Sequence, residues 1–202
     1  QVTTLQALTE RAYSDSLSCL LNRQTFLNRL GRRLPKARSG VLILFDADHF
    51  KQINDQYGHG LGDRCIEAIG HRFKWHSRDS DLAGRIGGDE FAVFLSDVTE
   101  EHARAIATRL GMPVSFSDRN SETHLTVTLS AGATVIDSDR TLEEHLNDAD
   151  SALYVAKAAG RAQLRFSNRA TSISLSGSRH TDPQPTIEPT KPSRSSIKLI
   201  SK

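Results

Sequence analysis

The chain has 202 residues, 37% of them hydrophobic and 25% charged, which is the composition of an ordinary globular protein. Its formal net charge is +2, but residues 167–202 hold six Lys/Arg and two acids, so this tail carries +4 and the remainder −2. We therefore expect no nucleic-acid-binding surface on the folded part. No run of about 18 apolar residues occurs, so we expect no membrane contact from this chain.

The two cysteines, Cys19 and Cys65, are 46 positions apart, a spacing typical of neither a metal site nor a redox motif. They predict reduced, buried thiols and a cytoplasmic location. The chain begins with Gln1 rather than Met. One interpretation is a piece of a longer protein, in which an N-terminal sensor or membrane anchor stays an open alternative.

Helical and strand patterns alternate through the first half of the chain. Residues 1–14, with apolar side chains at helical spacing, are predicted to be the end of a signalling helix or a linker. A helix is predicted over 24–33, and the apolar run 41–45 predicts a strand buried on both faces. Helices over 50–56 and 62–75 follow. The apolar stripe of the longer helix consists of Cys65, Ile66, Ile69 and Phe73.

Strand patterns dominate the second half. In order, we predict a strand over 91–95, a helix over 100–110, strands over 113–117 and 123–136, a helix over 141–158 and a short strand near 163–166. This alternation predicts a central mixed sheet covered by helices. The tail, 167–202, holds nine serines and four of the six prolines, so we expect it to be disordered. Its basic end is either solvated or in contact with an anionic surface.

Two acids follow the apolar strand directly. Asp46 and Asp48 point to the same face because strand side chains alternate. A carboxylate at the end of a buried strand needs a compensating charge. Together with an acid from 89–90, Asp46 would suit Mg²⁺, which takes one or two protein carboxylates plus substrate phosphates. The alternative for Asp48 is a cap on the helix that follows.

The residues after these acids offer contacts for a nucleotide. Lys51 and the backbone N–H groups near His49 and Phe50 suit phosphate. Asn54 can donate and accept hydrogen bonds and Asp63 can accept them, a pair that matches the edge of guanine. From chemistry alone, a single Asn or Asp is more often a turn or cap residue than a contact for guanine.

Two cations are predicted on one face of the last helix. Lys157 and Arg161 are four positions apart and share this face with Asp150 and Tyr154. They either complement the macrodipole at the helix C-terminus or, if this end faces the acids, hold a polyphosphate. The spacing does not decide between these interpretations.

The segment RIGGDEFAVFL, residues 85–95, places two glycines and two acids between predicted strands. Gly87 and Gly88 are typical of a hairpin turn, because glycine accepts positive φ without steric cost. Asp89 and Glu90 are then either solvated turn residues or members of the site at Asp46.

Four motifs, in order along the chain, resemble the diguanylate cyclases, or GGDEF domains. They are DSLSCLLNRQTF (15–26), FDADHFKQINDQYGHGLGD (45–63), GGDEF (87–91) and ADSALYVAKAAGR (149–161). The resemblance covers about 15–166, which we take as the domain, and departs from the family at Ser18-Cys19, where Thr-Gly is usual. It implies an α+β fold with a central, largely antiparallel sheet wrapped by helices, similar to adenylate cyclase and polymerase palm domains.

The resemblance also implies a reaction, the condensation of two GTP into cyclic di-GMP with release of two pyrophosphates. One domain holds one GTP, so catalysis would need a homodimer. Mg²⁺ is the implied cofactor, and Mn²⁺ suits the same oxygen ligands. The alternative is a catalytically silent sensor of GTP or cyclic di-GMP, but such relatives usually lack a signature acid or the lysine. A P-loop GTPase is excluded because no GxxxxGK[ST] occurs.

By position, the resemblance assigns the reacting centre to five residues. Asp46 and Asp89, with the backbone carbonyl of Ala47, would ligate the metal. Glu90, or Asp89 itself, would accept the proton of the attacking hydroxyl. Lys51 would stabilise negative charge on the phosphates.

The resemblance assigns substrate contacts in the same way. Asn54 and Asp63 would contact guanine with His59 nearby, and Lys157 and Arg161 would hold the terminal phosphates. Gly87 and Gly88 would keep the turn low so that phosphates approach the backbone. Arg78 and Asp81 resemble the family's RxxD inhibitory site, where cyclic di-GMP would bind; the alternative is a surface ion pair.

Overall fold

The computed structural model describes residues 13–37, 39–117 and 124–167, all within the unit Gln1–Arg169. Most of the predicted signalling helix, 1–14, and nearly all of the predicted tail, 167–202, lie outside the described residues. In the part of the chain that the structure describes, no helix has the length and apolar character needed to cross a membrane.

The described residues form eight strands and five α-helices, which we number in chain order. The strands are β1 (Leu21–Asn22), β2 (Gly40–Ala47), β3 (Leu82–Arg85), β4 (Glu90–Ser96), β5 (Val114–Ser117), β6 (His124–Val127), β7 (Leu129–Val135) and β8 (Leu164–Phe166). The helices are α1 (Arg23–Arg33), α2 (Phe50–Tyr57), α3 (His59–His76), α4 (Glu100–Leu110) and α5 (Leu142–Ala158).

Six of these strands form the main sheet, in the order β1-β3-β4-β2-β7-β8. The three central pairings, β3 with β4, β4 with β2 and β2 with β7, are antiparallel. β1 and β8 join the two edges in parallel orientation, and β5 and β6 form a separate antiparallel pair. The predicted α+β fold with a mixed, largely antiparallel sheet is confirmed.

The prediction of one strand over 123–136 is wrong. β6 ends at Val127, β7 begins at Leu129, and the two strands belong to different sheets. Between them, the Thr128 carbonyl accepts a hydrogen bond from the Asp48 N–H at 2.9 Å, and the Thr128 hydroxyl donates to the Asp48 carboxylate at 2.6 Å. The sequence pattern cannot reveal this change of sheet, because both strands have the same period of two.

The central strand β2 is buried at all eight positions, as its apolar run predicts. Ile43 and Phe45 belong to the core that includes α3, whereas Leu44 belongs to the core that includes α1 and α5. Phe45 meets Phe73 of α3 edge-on, with ring centroids 4.8 Å apart. Helices therefore pack on both faces of the sheet and fix the strand ends where the predicted acids lie.

Two local predictions differ from the structure, and both concern a segment that contains a residue with positive φ. α3 begins at His59 rather than at Gly62, since Gly58, with φ 82°, joins α2 directly to α3. Cys65 is buried as predicted, but the predicted burial of Cys19 is wrong. Cys19 is exposed and has φ 56°, a left-handed conformation that favours the glycine usual in the resembled family.

Candidate active site

The acids of the predicted site meet where β2 ends and β4 begins. Asp46 lies directly opposite Glu90 in the antiparallel register of these strands. The Ala47 N–H donates to the Asp89 carbonyl at 3.1 Å, and the Ile86 N–H donates to the Glu90 carbonyl at 2.9 Å, which closes the hairpin turn. Pairing across the strands thus brings Asp46, Asp89 and Glu90 to one end of the sheet.

Asp46 is 8% exposed and lies among like charges. Burial raises the pKa of its carboxyl group, and the charges of Asp89 and Glu90 raise this pKa further, against the lowering effect of Lys157. A buried carboxylate with two acidic neighbours is costly. Positive charge at this position would therefore stabilise the folded chain.

Lys157 provides part of that charge, because its Nζ lies 2.7 Å from Asp46 Oδ2. The C-terminal end of α5 therefore faces the acids. The predicted helix face shared with Arg161 is wrong, since α5 ends at Ala158 and Arg161 is an exposed loop residue with φ 63°. Gly160, with φ 111°, allows the chain to leave the helix there.

The glycines of the turn are needed for the room that a missing Cβ leaves, not for a positive φ. Neither Gly87 nor Gly88 has positive φ, so the predicted reason for this pair is wrong. A Cβ at Gly87 would clash with Glu90 Oε2, whereas a Cβ at Gly88 would meet nothing within 4 Å. Gly87 therefore leaves room for the Glu90 carboxylate, and Gly88 leaves the outer side of the turn open.

Two arginines that sequence analysis missed hold the turn. Arg85 donates to the Gly88 carbonyl from Nη2 at 2.7 Å and forms an ion pair with Asp15 at 3.2 Å. Arg23 donates to the Ile86 carbonyl at 2.8 Å. Asp15 begins the N-terminal motif and Arg85 precedes the signature, but they are 70 positions apart, so only their opposite charges hinted at the contact.

The residues of the motif 45–63 that are predicted to contact the nucleotide lie along α2 and at the start of α3. A Cβ at Gly62 of α3 would clash with Asn54 Oδ1 of α2. Gly62 thus leaves space for the Asn54 side chain between the two helices. The exposed members of this group are His49, Lys51, His59 and Asp63, and the half-buried members are Phe50 and Asn54.

Asp48 does not cap α2, so that alternative is wrong. The N-cap position is His49, and no side chain caps this helix. The Asp48 carboxylate instead accepts hydrogen bonds from Thr128, Ser130 and the backbone of Ala162.

The predicted inhibitory site forms a compact turn before β3. Asp81 Oδ2 accepts from the Arg78 N–H at 2.9 Å, and Asp81 Oδ1 accepts from the Ser96 N–H at 3.3 Å. Asp81 therefore shapes the turn through its carboxylate. The Arg78 side chain is exposed and has no ion pair within the described residues, so the alternative interpretation, a surface ion pair with Asp81, is not found there.

The acids fit a magnesium ion. Among the described residues, no group of three or more His, Cys, Asp or Glu side chains is arranged to hold a metal. Mg²⁺ needs fewer protein ligands, because it completes its shell with water and substrate phosphates. The hard oxygen donors of Asp46 and Asp89, with the further negative charge of Glu90, match this requirement.

A cleft of about 300 Å³ lies beside Glu90, on the side of α1 and α5. Leu44 and Leu153 contribute apolar surface to it, and Glu90 and Asp150 contribute carboxylates. Sequence analysis did not predict this cleft. It makes Glu90 part of a concave surface rather than of an isolated turn.

Comparison with known proteins shows the family to which the chain belongs. The family model described as "Diguanylate cyclase, GGDEF domain" matches residues 12–163. The chain is 36% identical over 170 residues to "Diguanylate cyclase TpbB" of Pseudomonas aeruginosa, covering 79% of this chain and 38% of that protein. It is 34% identical over 173 residues to "Cyclic di-GMP phosphodiesterase NbdA" of the same species, covering 81% of this chain and 22% of that protein. The chain thus spans less than half the length of these relatives.

A solved structure supports the fold. The coiled coil and GGDEF domain of DgcB from Caulobacter crescentus, in complex with c-di-GMP, matches with a TM-score of 0.76 at 24% identity, covering 81% of this chain and 90% of that chain. This likeness concerns the fold alone. With the family model matching most of the sequence, from the N-terminal motif to the loop after α5, the chain belongs to the GGDEF domain family of diguanylate cyclases.

Proposed function

We propose that this chain is a diguanylate cyclase that condenses two GTP into cyclic di-GMP and releases two pyrophosphates. The proposal rests on one observation, the meeting of Asp46, Asp89 and Glu90 at one end of the sheet beside Lys157. Such a concentration of acids serves no structural purpose that is evident in the described contacts, but it suits metal-assisted chemistry on phosphates.

Guanine recognition would use the junction of α2 and α3. Asn54 and Asp63 offer the acceptors that the N1–H and the exocyclic amine of guanine require, and His59 is close to them in sequence. The clash that a Cβ at Gly62 would make with Asn54 supports a defined position for this amide.

Cations near the acids would hold the triphosphate. Lys157 and Arg161 would bind the terminal phosphates, and the N–H groups around His49 and Phe50 would add further donors. Without ligands, Lys157 forms an ion pair with Asp46. When substrate and metal bind, Lys157 would pair with the triphosphate and the Asp46 carboxylate would bind the metal.

The reacting centre would consist of the acids and Lys51. Mg²⁺ or Mn²⁺, bound by Asp46, Asp89 and the Ala47 carbonyl, would supply positive charge to the phosphate oxygens and lower the pKa of the attacking 3′-hydroxyl. Glu90, or Asp89, would accept the proton of the 3′-hydroxyl. The 3′-oxygen would then bond to the α-phosphorus of the other GTP as the bond from that phosphorus to pyrophosphate breaks. Lys51 would stabilise the developing phosphate charge.

Catalysis would need a second copy of the chain. Each domain presents one GTP, and each 3′-hydroxyl must reach the α-phosphate of the other nucleotide. A homodimer with facing sites meets this requirement, and residues 1–14 are the segment that we propose sets its geometry. We also propose that cyclic di-GMP binds at Arg78 and Asp81 and inhibits the enzyme, because the exposed Arg78 side chain is available to a phosphate or a guanine.

The experiment is incubation of the 202-residue chain with GTP and Mg²⁺, followed by chromatography of the nucleotides and detection of pyrophosphate. An Asp89→Asn, Glu90→Gln double variant is the matched control. We expect cyclic di-GMP from the parent chain and none from the variant. The proposal would be overturned if the parent chain formed no cyclic di-GMP even at high protein concentration or with a fused dimerising helix.

The alternative is a silent module that senses GTP or cyclic di-GMP. One relative described as a cyclase and another described as a phosphodiesterase both share this domain, which supports the alternative. Binding of either nucleotide without turnover would favour this alternative. The complete set of acids and Lys51 favours the cyclase.

A further inference from the structure

We propose that Asp48 is a positioning residue whose buried carboxylate fixes the loop after α5 and thereby aims Arg161 at the terminal phosphates of GTP. The inference deepens the proposed function and rests on it. It differs from the role that the sequence suggested for Asp48, which was a helix cap or a place on the metal-binding face.

Asp48 is 4% exposed, and its carboxylate accepts three hydrogen bonds from described residues. Oδ1 accepts from Ser130 Oγ at 2.6 Å, and Oδ2 accepts from Thr128 Oγ1 at 2.6 Å and from the Ala162 N–H at 3.0 Å. No Lys, Arg or His of the described residues forms an ion pair with it. A carboxylate can accept all three of these hydrogen bonds at once, which explains an aspartate at this position.

The loop that Asp48 holds has an unusual backbone. Gly160, Arg161 and Ala162 have φ values of 111°, 63° and 49°, so two residues with side chains adopt left-handed conformations in succession. Such conformations cost free energy and persist only where surrounding contacts impose them. The Arg161 N–H donates to the Ala156 carbonyl at 3.0 Å, and the Ala162 N–H donates to Asp48, so both strained residues are held.

The same end of β2 thus fastens α5 and its loop at two points. Asp46, the last acid of β2, binds Lys157 before the loop, and Asp48 binds Ala162 after it. Arg161 lies between these attachments, and its side chain is exposed without an ion-pair partner in the described part of the chain. A cation on a rigid support, next to buried acids, is placed to receive an anionic ligand.

The test compares nucleotides that differ in their terminal phosphates. Affinities for GTP and GMP are measured by calorimetry with Mg²⁺, in a Glu90→Gln background that removes one of the two candidate proton acceptors and so slows the consumption of GTP. We expect Asp48→Ala to weaken GTP binding about tenfold and to leave GMP binding within about twofold, since GMP lacks the phosphates that Arg161 would hold. Asp48→Asn, which keeps an oxygen for the Ala162 N–H, should restore most of the affinity.

Two controls separate positioning from a general loss of stability. Ser130→Ala removes the partner of Oδ1 but leaves the Ala162 hydrogen bond, so it should lower the melting temperature without changing GTP affinity. Adding Arg161→Ala to Asp48→Ala should weaken GTP binding no further than Arg161→Ala alone, because both changes act on one contact. Additive effects, or equal losses for GTP and GMP, would overturn the inference.

A measurement on the parent chain covers the case in which Asp48→Ala does not fold. Hydrogen exchange of the Ala162 amide should be slow if Asp48 holds it, and exchange at the rate of an exposed loop amide would overturn the inference. If the parent chain binds no GTP, the proposed function and this inference both fail. If it binds GTP and Asp48→Ala binds it equally well, only this inference fails.

Discussion

Lys157 Nζ lies 2.7 Å from Asp46 Oδ2 and joins the end of the last helix to the end of the central strand. The pair places a cation beside three acids in the free chain, where burial and the charges of Asp89 and Glu90 raise the pKa of Asp46. Lys157 therefore stabilises the buried Asp46 carboxylate, and it is also the group that we propose to bind phosphate.

Replacing Lys157 should impair substrate binding first. In Lys157→Met, we expect KM for GTP to rise at least about tenfold, because a charge-assisted contact to the terminal phosphates is lost. Lys74→Met is the control, since Lys74 is an exposed residue in the last turn of α3 without an ion pair in the described structure. Steady-state kinetics measure both variants, and a KM in Lys157→Met equal to that of Lys74→Met would contradict the role.

The ion pair of Asp15 with Arg85 should give a defined dependence of stability on pH. Burial opposes the change, but hydrogen bonds from Ser18 and the charge of Arg85 lower the pKa of Asp15 below its usual 3.8. A lowered folded-state pKa stabilises the fold above the unfolded-state pKa, and this stabilisation is lost as pH falls through the folded-state pKa. Asp15→Asn should therefore cost about 1 kcal/mol at neutral pH, a modest value because the pair is partly solvated.

Urea unfolding of the parent chain and Asp15→Asn at several pH values tests this expectation. The difference in unfolding free energy should be constant from neutral pH down to about pH 5, shrink below it, and vanish at the lowest pH at which the chain still folds. A difference that does not depend on pH would show that the charge of Asp15 is not responsible.

Two glycines of α3 offer a matched pair of variants to test the proposed guanine site. In Gly62→Ala the new Cβ clashes with Asn54 Oδ1, whereas in Gly60→Ala it meets nothing within 4 Å. We expect Gly62→Ala to weaken GTP and GMP binding alike, and Gly60→Ala to stabilise the helix by up to about 1 kcal/mol without changing affinity. Calorimetry and thermal melting distinguish them; equal GMP affinities would remove Asn54 from the guanine site.

The two cysteines should differ in reactivity. Burial, with a further contribution from the charge of Asp89, raises the pKa of the Cys65 thiol to about 12, and Cys19 is exposed. Because the thiolate is the reactive form, iodoacetamide at about pH 8 should modify Cys19 and spare Cys65 until denaturant is added. Mass spectrometry of the labelled peptides measures this, and equal labelling of both in the native chain would contradict the packing of α3.

Variants of the proposed inhibitory site should have different effects on the binding of cyclic di-GMP and on the stability of the fold. Arg78→Ala should relieve inhibition by cyclic di-GMP about tenfold or more without lowering the melting temperature, because the side chain has no ion pair in the described structure. Asp81→Ala should also destabilise the turn, since its carboxylate accepts from the Arg78 and Ser96 N–H groups. Unchanged inhibition in Arg78→Ala would remove this residue from the proposed site.

Much of the architecture was predictable, and the errors have local causes. The apolar run 41–45 correctly predicted a strand buried on both faces, because few other structures bury every successive side chain. The prediction of one strand over 123–136 was wrong at Thr128, which lies between two strands of different sheets. Thr128 forms a hydrogen bond with Asp48, a residue 80 positions away. The helix face predicted for Arg161 failed because Gly160 to Ala162 turn away from α5.

The sequence by itself predicted most of the helices and strands in order, and its family motifs supplied the predicted site residues, because periodicity and short motifs depend on neighbours along the chain. Only the tertiary structure decided which distant groups meet. Three such contacts join residues that are far apart in sequence. They are the ion pair of Asp46 with Lys157, the ion pair of Asp15 with Arg85 beside the turn, and the hydrogen bond from Ala162 to Asp48. Such contacts depend on how strands pair and helices pack, and no local pattern specifies that.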